Sequence, residues 1–381
     1  MIYLFYDLYL TGHHSEYIEH LINYLTKREE DENRFYFVLN PLFNQQFKAI
    51  SDLASTREDV NVVCVKEFEW KSAMKGSLVR KSFAQFNLMD EYAKKLGANN
   101  VMLLHMNIFQ PALCLKRTKY QVRGILFSQF TRQDLNKKFS ERLRYIRRYL
   151  QTLLLVKNRN LQQVFLLNDK ESCIYLNNEF KTNIFNFLPD PIPELIVNEF
   201  VNIRKKYSIP TKNKIFLHFG VLSERKGTFD ILRSLFSIPS QSQDNLTLVL
   251  AGKVDNPQTL INLESIFDDL KRVGNNVQII FENGFVSNNI KNNLFHQCDF
   301  VLIPYKNVEA SSGVFGHALS ANKPVIGYSK GLLGQMIKDY KLGIIIDKID
   351  LVKLSTKDFL IEQNVALKNN VNEFARRVIS I

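Results

Sequence analysis

Two short segments in the second half of the chain combine residue types that bind anions. In the first segment, an apolar run at 215–219 is followed by Gly220, by the basic pair Arg225 and Lys226, and by a glycine that leads a helical pattern. Backbone amides and the dipole at a helix N-terminus favour an anion, and lysine and arginine add full positive charges. The segment predicts a phosphate site; an ordinary turn with two solvated cations is the alternative.

The second segment, EASSGVFGHALSANKPVIG at 309–327, places a carboxylate, two serines and a histidine around the start of another helical pattern. The amides of Ser311, Ser312 and Gly313 would point at a second anionic group, or at the same one from another side. Plain helix capping by the serines and a satisfied core histidine at His317 are the alternatives. Because both segments follow strand-like runs in one half of the chain, together they favour a diphosphate ligand.

Polar residues also follow strand-like runs in the first half of the chain. The loop TGHHSEY carries Gly12, His13 and His14, while His105 follows VMLL and Ser128 follows GILF. Adjacent histidines can bind a metal ion, but no third ligand lies at short range, so we expect no metal site. For His105, a packed histidine at a strand end is an equal alternative.

These segments are positioned by apolar runs that alternate with helical patterns along the whole chain. The runs lie at 2–6, 34–39, 61–65, 101–104, 122–127, 164–167, 215–219, 246–250, 277–281, 300–303, 324–327 and 344–346. The helical patterns include 15–27, 81–96, 140–156, 228–237, 260–272, 288–297 and 313–321. Such alternation builds parallel sheets that are covered on both faces. Because twelve strands in one sheet would be unusual, we predict an α/β fold with two doubly wound Rossmann-like domains.

The join between the two domains is marked by LPDPIP at 188–193, which holds three of the ten prolines. Proline fixes the backbone and ends regular elements, so this segment is a plausible linker. We predict an N-terminal domain at 1–190 and a C-terminal domain at 191–381, with the last helix a candidate to return to the first domain. Open parallel sheets bind ligands beyond the carboxyl ends of their strands, so we expect the site in the cleft between the domains.

The composition argues against several classes of protein. No apolar run approaches the roughly 18 residues that a membrane span needs. The opening MIYLFYDLYL has no basic leader and contains Asp7, so we interpret it as a buried strand and not as a signal peptide. The four cysteines have neither metal-binding nor redox spacing, which fits a reducing compartment. We expect a cytoplasmic protein, with the inner face of the membrane as a candidate location.

The net charge of +12 is concentrated in one segment. Between Lys116 and Arg159 there are 13 Lys and Arg residues against 2 Asp and Glu residues. Such a basic segment suggests an anionic partner, and a solvated helix face is the alternative. The segment lacks interleaved aromatic platforms and a recognition motif, so we expect no nucleic-acid partner and consider an anionic membrane surface instead.

Three segments resemble the C-terminal domain of retaining glycosyltransferases of family 4 (glycosyl transferases group 1). They are FGVLSERKG, the stretch from ENGF to PVIG at 282–327, and KLGIIID. These motifs occur in the family's order and spacing, and the resemblance covers roughly 215–347. The first half resembles the family only in Gly12 after the first strand and in the general layout. The resemblance implies the GT-B fold, in which two doubly wound Rossmann-like domains face each other across a cleft.

The resemblance also implies roles for the matched residues. Lys226 would bind the donor diphosphate beside the amides of Ser312 and Gly313, and Glu309 would hold hydroxyls of the transferred sugar. The residues expected to bind the donor are Gly12, Gly220, Arg225, Lys226, Glu309, Ser311, Ser312, Gly313 and His317. We assign catalytic roles to Glu309, Lys226 and His105, and acceptor-side roles to His13, His14 and Ser128.

Three positions depart from the family pattern. The family's arginine after the glycine falls on Val221, so Arg225 would have to supply that charge. The carboxylate that usually takes the ribose hydroxyls falls on His317, and a neutral imidazole has only one acceptor. Ser128 stands where relatives often have a histidine near the sugar. These departures leave open a non-catalytic nucleotide- or sugar-binding assembly protein with a decayed transferase fold.

The main expectation is an enzyme that moves a sugar from a nucleotide-diphosphate sugar to a saccharide or lipid-linked saccharide acceptor, in cell-surface polysaccharide synthesis. The resemblance implies retention of stereochemistry, with the leaving phosphate assisting on the acceptor's face. The chain contains no Asp-x-Asp motif. Lysine and arginine would therefore take the place of a metal ion in stabilising the departing diphosphate. No cofactor is expected, since the nucleotide sugar is a substrate.

Overall fold

The computed structural model describes residues 1–10, 13–133, 139–192, 194–309, 312–357, 359 and 371–380. The chain folds as two compact units. The first unit comprises Met1–Asp190 together with Val371–Ile381, and the second comprises Pro191–Asn370. The division falls within the proline-rich segment, and the C-terminal helix belongs to the first unit.

The first unit is built on a seven-stranded parallel sheet with the order β3-β2-β1-β4-β5-β6-β7. Its strands are β1 (Ile2–Asp7), β2 (Arg34–Leu39), β3 (Val60–Cys64), β4 (Asn100–Leu103), β5 (Gln121–Leu126), β6 (Leu161–Leu167) and β7 (Phe185–Leu188). Its helices are α1 (His13–Lys27), α2 (Phe43–Gln46), α3 (Lys48–Ala54), α4 (Glu67–Ala73), α5 (Leu78–Leu96), α6 (Gln110–Leu115), α7 (Phe139–Leu155) and α8 (Lys170–Phe180). A 3-10 segment, Met106–Phe109, precedes α6.

The second unit is built on a six-stranded parallel sheet with the order β10-β9-β8-β11-β12-β13. Its strands are β8 (Lys214–Phe219), β9 (Leu246–Ala251), β10 (Gln278–Glu282), β11 (Phe300–Leu302), β12 (Val325–Tyr328) and β13 (Gly343–Ile346). Its helices are α9 (Ile203–Lys206), α10 (Thr228–Ser234), α11 (Ser240–Gln243), α12 (Pro257–Arg272), α13 (Asn288–Gln297), α14 (Gly313–Ser320), α15 (Gly331–Asp339) and α16 (Leu351–Ser355), with 3-10 segments at Glu224–Lys226 and Leu235–Ser237.

Both faces of each sheet are covered by other elements, which explains why the strands are continuous apolar runs. In β9, every residue from Leu246 to Ala251 is buried. In the first sheet, aromatic side chains pair across neighbouring strands, with the ring centroids of Phe5 and Phe37 only 4.7 Å apart. Strand β7 was not among the predicted runs, because its four residues contain a polar asparagine and lead directly into the proline-rich segment.

The C-terminal helix α17 (Val371–Ile379) packs on the first sheet. The ring of Phe374 lies 4.7 Å from that of Tyr17 on α1. The guanidinium of Arg123, on β5, donates to the carbonyl oxygens of Arg377 and Val378 at 3.3 and 3.2 Å. A cation at this end of a helix satisfies carbonyl groups that lack partners within the helix. Residues separated by about 250 positions therefore complete one unit.

Candidate functional site

The first predicted phosphate segment forms a tight loop at the carboxyl end of β8. Gly220 turns the chain with φ +103°, and Ser223 caps the 3-10 segment by accepting the N–H of Lys226 at 3.3 Å. Gly227 has φ +77°, and a Cβ atom there would lie 2.2 Å from the carbonyl oxygen of Pro304. Only glycine fits this approach, so the loop is pressed against the segment that follows β11.

A buried histidine supports this loop from beneath. The Nδ1 of His218 lies 2.9 Å from the carbonyl oxygen of Leu302, and its Nε2 lies 2.9 Å from Oγ1 of Thr228. Because the carbonyl can only accept, Nδ1 carries the proton and Nε2 accepts from the threonine hydroxyl. That hydroxyl oxygen in turn accepts the N–H of Ser223 at 3.0 Å. A neutral His218 thus supports the residue that caps the Lys226 segment.

We expect acid to weaken this support, because burial lowers the pKa of His218 from 6.5 to about 4. As the pH falls, this histidine is protonated in the unfolded chain before it is protonated in the folded protein. Its contribution to the free energy of unfolding is therefore fully present above pH 6.5 and is lost as the pH drops toward 4. The loss is at most about 3 kcal/mol for a shift of this size. Between pH 7 and pH 4, the melting temperature of His218→Gln should fall less steeply than that of wild type. An equal decline in both proteins would contradict the assignment.

The two predicted anion-binding segments converge on one buried tyrosine. The ammonium of Lys226 lies 3.6 Å from the ring centroid of Tyr305, and Ser312 donates its hydroxyl to the phenol oxygen of Tyr305 at 3.2 Å. The backbone N–H of Lys306 donates to the carbonyl oxygen of Arg225 at 3.0 Å, which fixes the two loops together. Since β8 and β11 are neighbours in the sheet, their carboxyl ends bring these segments to the same edge.

The electrostatics of this cluster favour an added anion. Burial, and secondly the charge of Arg225, lower the pKa of Lys226 to about 7. Among the described residues Lys226 forms no ion pair, whereas Lys306 pairs with Glu224 and with Asp230, the latter at 3.1 Å. Burial raises the pKa of Tyr305 to about 12, so its ring is neutral. An anion bound here would offset the cost of burying the Lys226 charge.

Ser312, one of the predicted residues at the start of α14, is buried. Ser312 precedes the helix but makes no side-chain capping bond, because its hydroxyl is directed to Tyr305. Plain capping is therefore not its role, and Gly313 begins the helix behind it. Glu309 is buried, and its backbone N–H donates to Oδ1 of Asn307 at 3.0 Å. Ser311 lies outside the described residues.

His317 lies one turn into α14 and is buried. Its ring packs edge-on against Phe295 of α13, with centroids 5.4 Å apart. Its helix neighbours Val314 and Ala318 belong to the hydrophobic core of the second unit. This packing is typical of a core histidine, which was the alternative to a ribose-binding role.

In the first unit, the end of β1 holds a carboxylate–histidine pair. Asp7 is buried, and its Oδ2 lies 2.6 Å from Nδ1 of His14 at the start of α1. Its Oδ1 accepts the N–H of Tyr9 at 2.9 Å. The pair holds the imidazole in one orientation and leaves Nε2 of His14 for another partner. Asp7 was missed as a site residue, since the sequence offered it only as a polar residue in an apolar run.

His105, which follows β4, lies beside this pair. Its ring centroid is 5.0 Å from that of His14, 5.1 Å from Tyr9 and 5.4 Å from Phe127. Burial, with a smaller effect of His14, lowers its pKa to about 4, so the imidazole is neutral at pH 7. Its Nδ1 is buried and has no hydrogen-bond partner among the described residues. The carboxyl ends of β1, β4 and β5 thus bring His14 and His105 together.

Ser128, after β5, is held by an asparagine that the sequence analysis did not select. Asn107 donates its side-chain amide to Oγ of Ser128 at 3.3 Å and accepts the N–H of Phe127 at 2.8 Å. Gly12 lies outside the described residues, and His13 begins α1 with its side chain not described. The described residues contain no group of three or more His, Cys, Asp or Glu placed to hold a metal ion.

Comparison with protein families matches residues 199–378 to the family described as glycosyl transferases group 1. A search of curated proteins by sequence finds no match. Similar solved structures include WaaG, a glycosyltransferase involved in lipopolysaccharide biosynthesis, with 16% identity over 99% of this chain and 94% of that chain and a TM-score of 0.59.

Two further solved structures have the same architecture. HepE from Anabaena, in complex with UDP and glucose, has 15% identity, coverage of 99% of this chain and 95% of that chain, and a TM-score of 0.61. Sucrose-phosphate synthase from Thermosynechococcus elongatus has 14% identity, coverage of 99% and 94%, and a TM-score of 0.65. At such identities these likenesses establish the fold. The chain thus has the fold of these structures, with two Rossmann-like units as in the GT-B fold, and its residues 199–378 match the family glycosyl transferases group 1.

Proposed function

We propose that this protein transfers a sugar from a nucleotide-diphosphate sugar to a saccharide or lipid-linked saccharide acceptor, in the synthesis of cell-surface polysaccharide. The observation that carries the proposal is the meeting of Lys226 and Ser312 at Tyr305, inside the region that matches the family. A half-buried ammonium without an ion pair among the described residues, next to a helix start, is suited to a diphosphate.

The second unit would bind the donor. Lys226, Arg225 and the backbone amide at Gly313 would donate hydrogen bonds to the diphosphate oxygens. Glu309 would accept hydrogen bonds from hydroxyls of the transferred sugar. These fixed charges would stabilise the negative charge that develops on the leaving diphosphate. We therefore propose transfer without a metal ion and with retention, in which the leaving phosphate assists the attack of the acceptor.

The first unit would bind the acceptor through His14, His105 and Ser128. Asp7 keeps the His14 ring oriented, so that its Nε2 would accept a hydrogen bond from a sugar hydroxyl. His105 is neutral at pH 7, so it would bind a hydroxyl without adding charge. In this proposal neither histidine forms a covalent intermediate.

The test is a thermal-shift screen against UDP-, GDP-, ADP- and dTDP-sugars, followed by a transfer assay with and without EDTA. HepE, whose structure contains UDP and glucose, makes UDP-glucose the first donor to examine. A donor at 100 times its Kd should add about 2.7 kcal/mol of stability. Glu309→Gln should bind the free nucleoside diphosphate as wild type does but transfer at least about tenfold more slowly, because a sugar contact is altered. No shift with any of the four donors would contradict the proposal.

A non-catalytic nucleotide- or sugar-binding protein is the second candidate. It is favoured by Val221, which is exposed where the family has an arginine, and by the core packing of His317. Both features would weaken donor recognition or turnover. Tight, nucleoside-specific binding without turnover on a panel of saccharide acceptors would support this candidate over the transferase.

A further inference from the structure

Helix α7 carries an apolar stripe that faces solvent. The stripe consists of Phe139, Leu143, Ile146, Leu150 and Leu154, whose side chains are 76, 52, 52, 51 and 44% exposed. At 100° per residue these five positions fall within an arc of about 80° and extend over about 22 Å of the helix. Single exposed apolar residues are ordinary, but an aligned row of this length indicates a contact surface.

The opposite side of α7 already packs on the first unit. Thr152 and Leu155 are buried, and the rings of Tyr145 and Tyr149 lie 5.0 and 6.0 Å from that of Phe130. The helix is therefore anchored through one face, and within the part of the chain that the structure describes the stripe faces solvent. The packed face alone holds the helix in place. The stripe therefore does not serve to anchor α7 and requires another explanation.

Two of the arginines of α7 border the stripe. The helix contains Arg142, Arg144, Arg147 and Arg148 but only one acidic residue, Glu141. On the helical wheel Arg142 and Arg147 fall on opposite sides of the stripe. Long basic side chains in these positions can rest their apolar stems on the edge of a membrane and reach the headgroups with their charges.

The neighbouring helix α6 also exposes a leucine beside basic residues. The thiol of Cys114 donates to the carbonyl oxygen of Gln151 at 3.2 Å, so the end of α6 lies against α7. The next residue, Leu115, is 72% exposed and is followed by Lys116 and Arg117. Two neighbouring helices thus present the same combination of exposed leucine and basic side chains.

We propose that α7 docks in the interface of an anionic lipid membrane, with the stripe inserted among the acyl chains and the arginines at the headgroups. If a second copy of the chain covered the stripe, the arginines of the two copies would lie close together and repel each other. A second copy is therefore disfavoured as the partner of the stripe. A straight row of apolar side chains bordered by arginines fits a flat, negatively charged surface. No described helix has the length and apolar character of a membrane span. The inference does not depend on the proposed sugar transfer.

The experiment is sedimentation with vesicles of phosphatidylcholine alone or with about one phosphatidylglycerol in every three lipids, at low and high salt. Wild type should bind the anionic vesicles at least about tenfold more tightly than the neutral ones, and high salt should weaken that binding. Replacing Leu143, Ile146 and Leu150 by glutamine should abolish binding. Replacing Arg142 and Arg147 by glutamine should weaken it about 25-fold, since each basic residue contributes about fivefold.

Ile261→Gln is the matched control, because Ile261 is 57% exposed on α12 of the second unit. This variant should bind as wild type does. All changed side chains are exposed, so melting temperatures should remain close to that of wild type. Equal binding to neutral and anionic vesicles, or unaltered binding of the stripe variant, would overturn the proposal. So would a wild-type dimer that the stripe variant converts to a monomer without any vesicle binding, since a second copy would then occupy the stripe.

Discussion

Replacing Lys226 by methionine should weaken binding of the donor by about 10- to 150-fold, which corresponds to the roughly 1.5–3 kcal/mol of a charged hydrogen bond. Methionine keeps an apolar side chain of similar length and removes the ammonium, which lies over the ring of Tyr305. If the same charge stabilises the leaving diphosphate, transfer should fall by a further factor, in the range of about 100-fold or more that the loss of one such donor causes. Calorimetric titration and a transfer assay measure the two effects separately.

The pH dependence distinguishes this role from simple packing. In the free protein the pKa of Lys226 is about 7, because burial and Arg225 disfavour its charged form. A bound diphosphate favours the charged form and raises that pKa. Binding above pH 7 must therefore take up a proton, and the affinity for a nucleotide sugar should fall as the pH rises from 7 to 9. Below pH 7 the lysine is already charged, and the affinity should be nearly constant.

Two variants serve as controls for this prediction. Lys226→Arg stays charged throughout and should bind with little change between pH 7 and 9. Lys306→Met removes a lysine of the same loops whose charge is already paired with Glu224 and Asp230, so its effect on affinity should be much smaller. If wild-type affinity is the same at pH 7 and 9 and calorimetry detects no proton uptake, Lys226 does not contact the diphosphate.

The strands could be predicted from the sequence because both sheets are buried on both faces. A strand of this kind is a continuous apolar run, and β2 and α13 have the same bounds in the structure as in the prediction. Most other ends shift by one to three residues, where polar residues such as Asn100 and Gln121 begin a strand. Strand β7 was missed because its four residues, just before the proline-rich segment, form too short an apolar run to be recognised as a strand.

The candidate site could be predicted only in part. The glycine turn, the basic pair and the serines before α14 were visible as residue types. Their connection through Tyr305 was not, because it depends on which strands are neighbours, and β8 pairs with β11 across about 80 residues. The support of the loop by His218 was hidden in the same way, since the sequence shows it only as a polar residue within a strand.

The segment after β5, which carries Ser128, is held by a buried carboxylate that should be essential for the stability of the first unit. Asp169 is 1% exposed and accepts two bonds from the guanidinium of Arg132, at 2.7 and 2.8 Å. It also accepts from Gln129 at 2.5 Å, and from both the N–H and the hydroxyl of Ser172 at 3.1 and 2.7 Å. One side chain thus joins the loop after β5 to the start of α8.

Replacing Asp169 by alanine should lower the free energy of unfolding by about 3–5 kcal/mol, because it removes the buried carboxylate that pairs closely with the largely buried Arg132 guanidinium and leaves that group the more distant, exposed Glu171 at 3.6 Å. Asp169→Asn keeps the shape but turns one acceptor into a donor that faces other donors, so it should also destabilise, by a smaller amount. Asp269→Ala is the matched control, since Asp269 pairs with Arg272 at 2.9 Å on the exposed side of α12 and should contribute less than about 1 kcal/mol. Urea unfolding of the three variants gives the comparison. Equal losses for Asp169→Ala and Asp269→Ala would mean that water replaces the buried carboxylate, and that the loop carrying Ser128 owes its position to the packing of Phe130 on α7 instead.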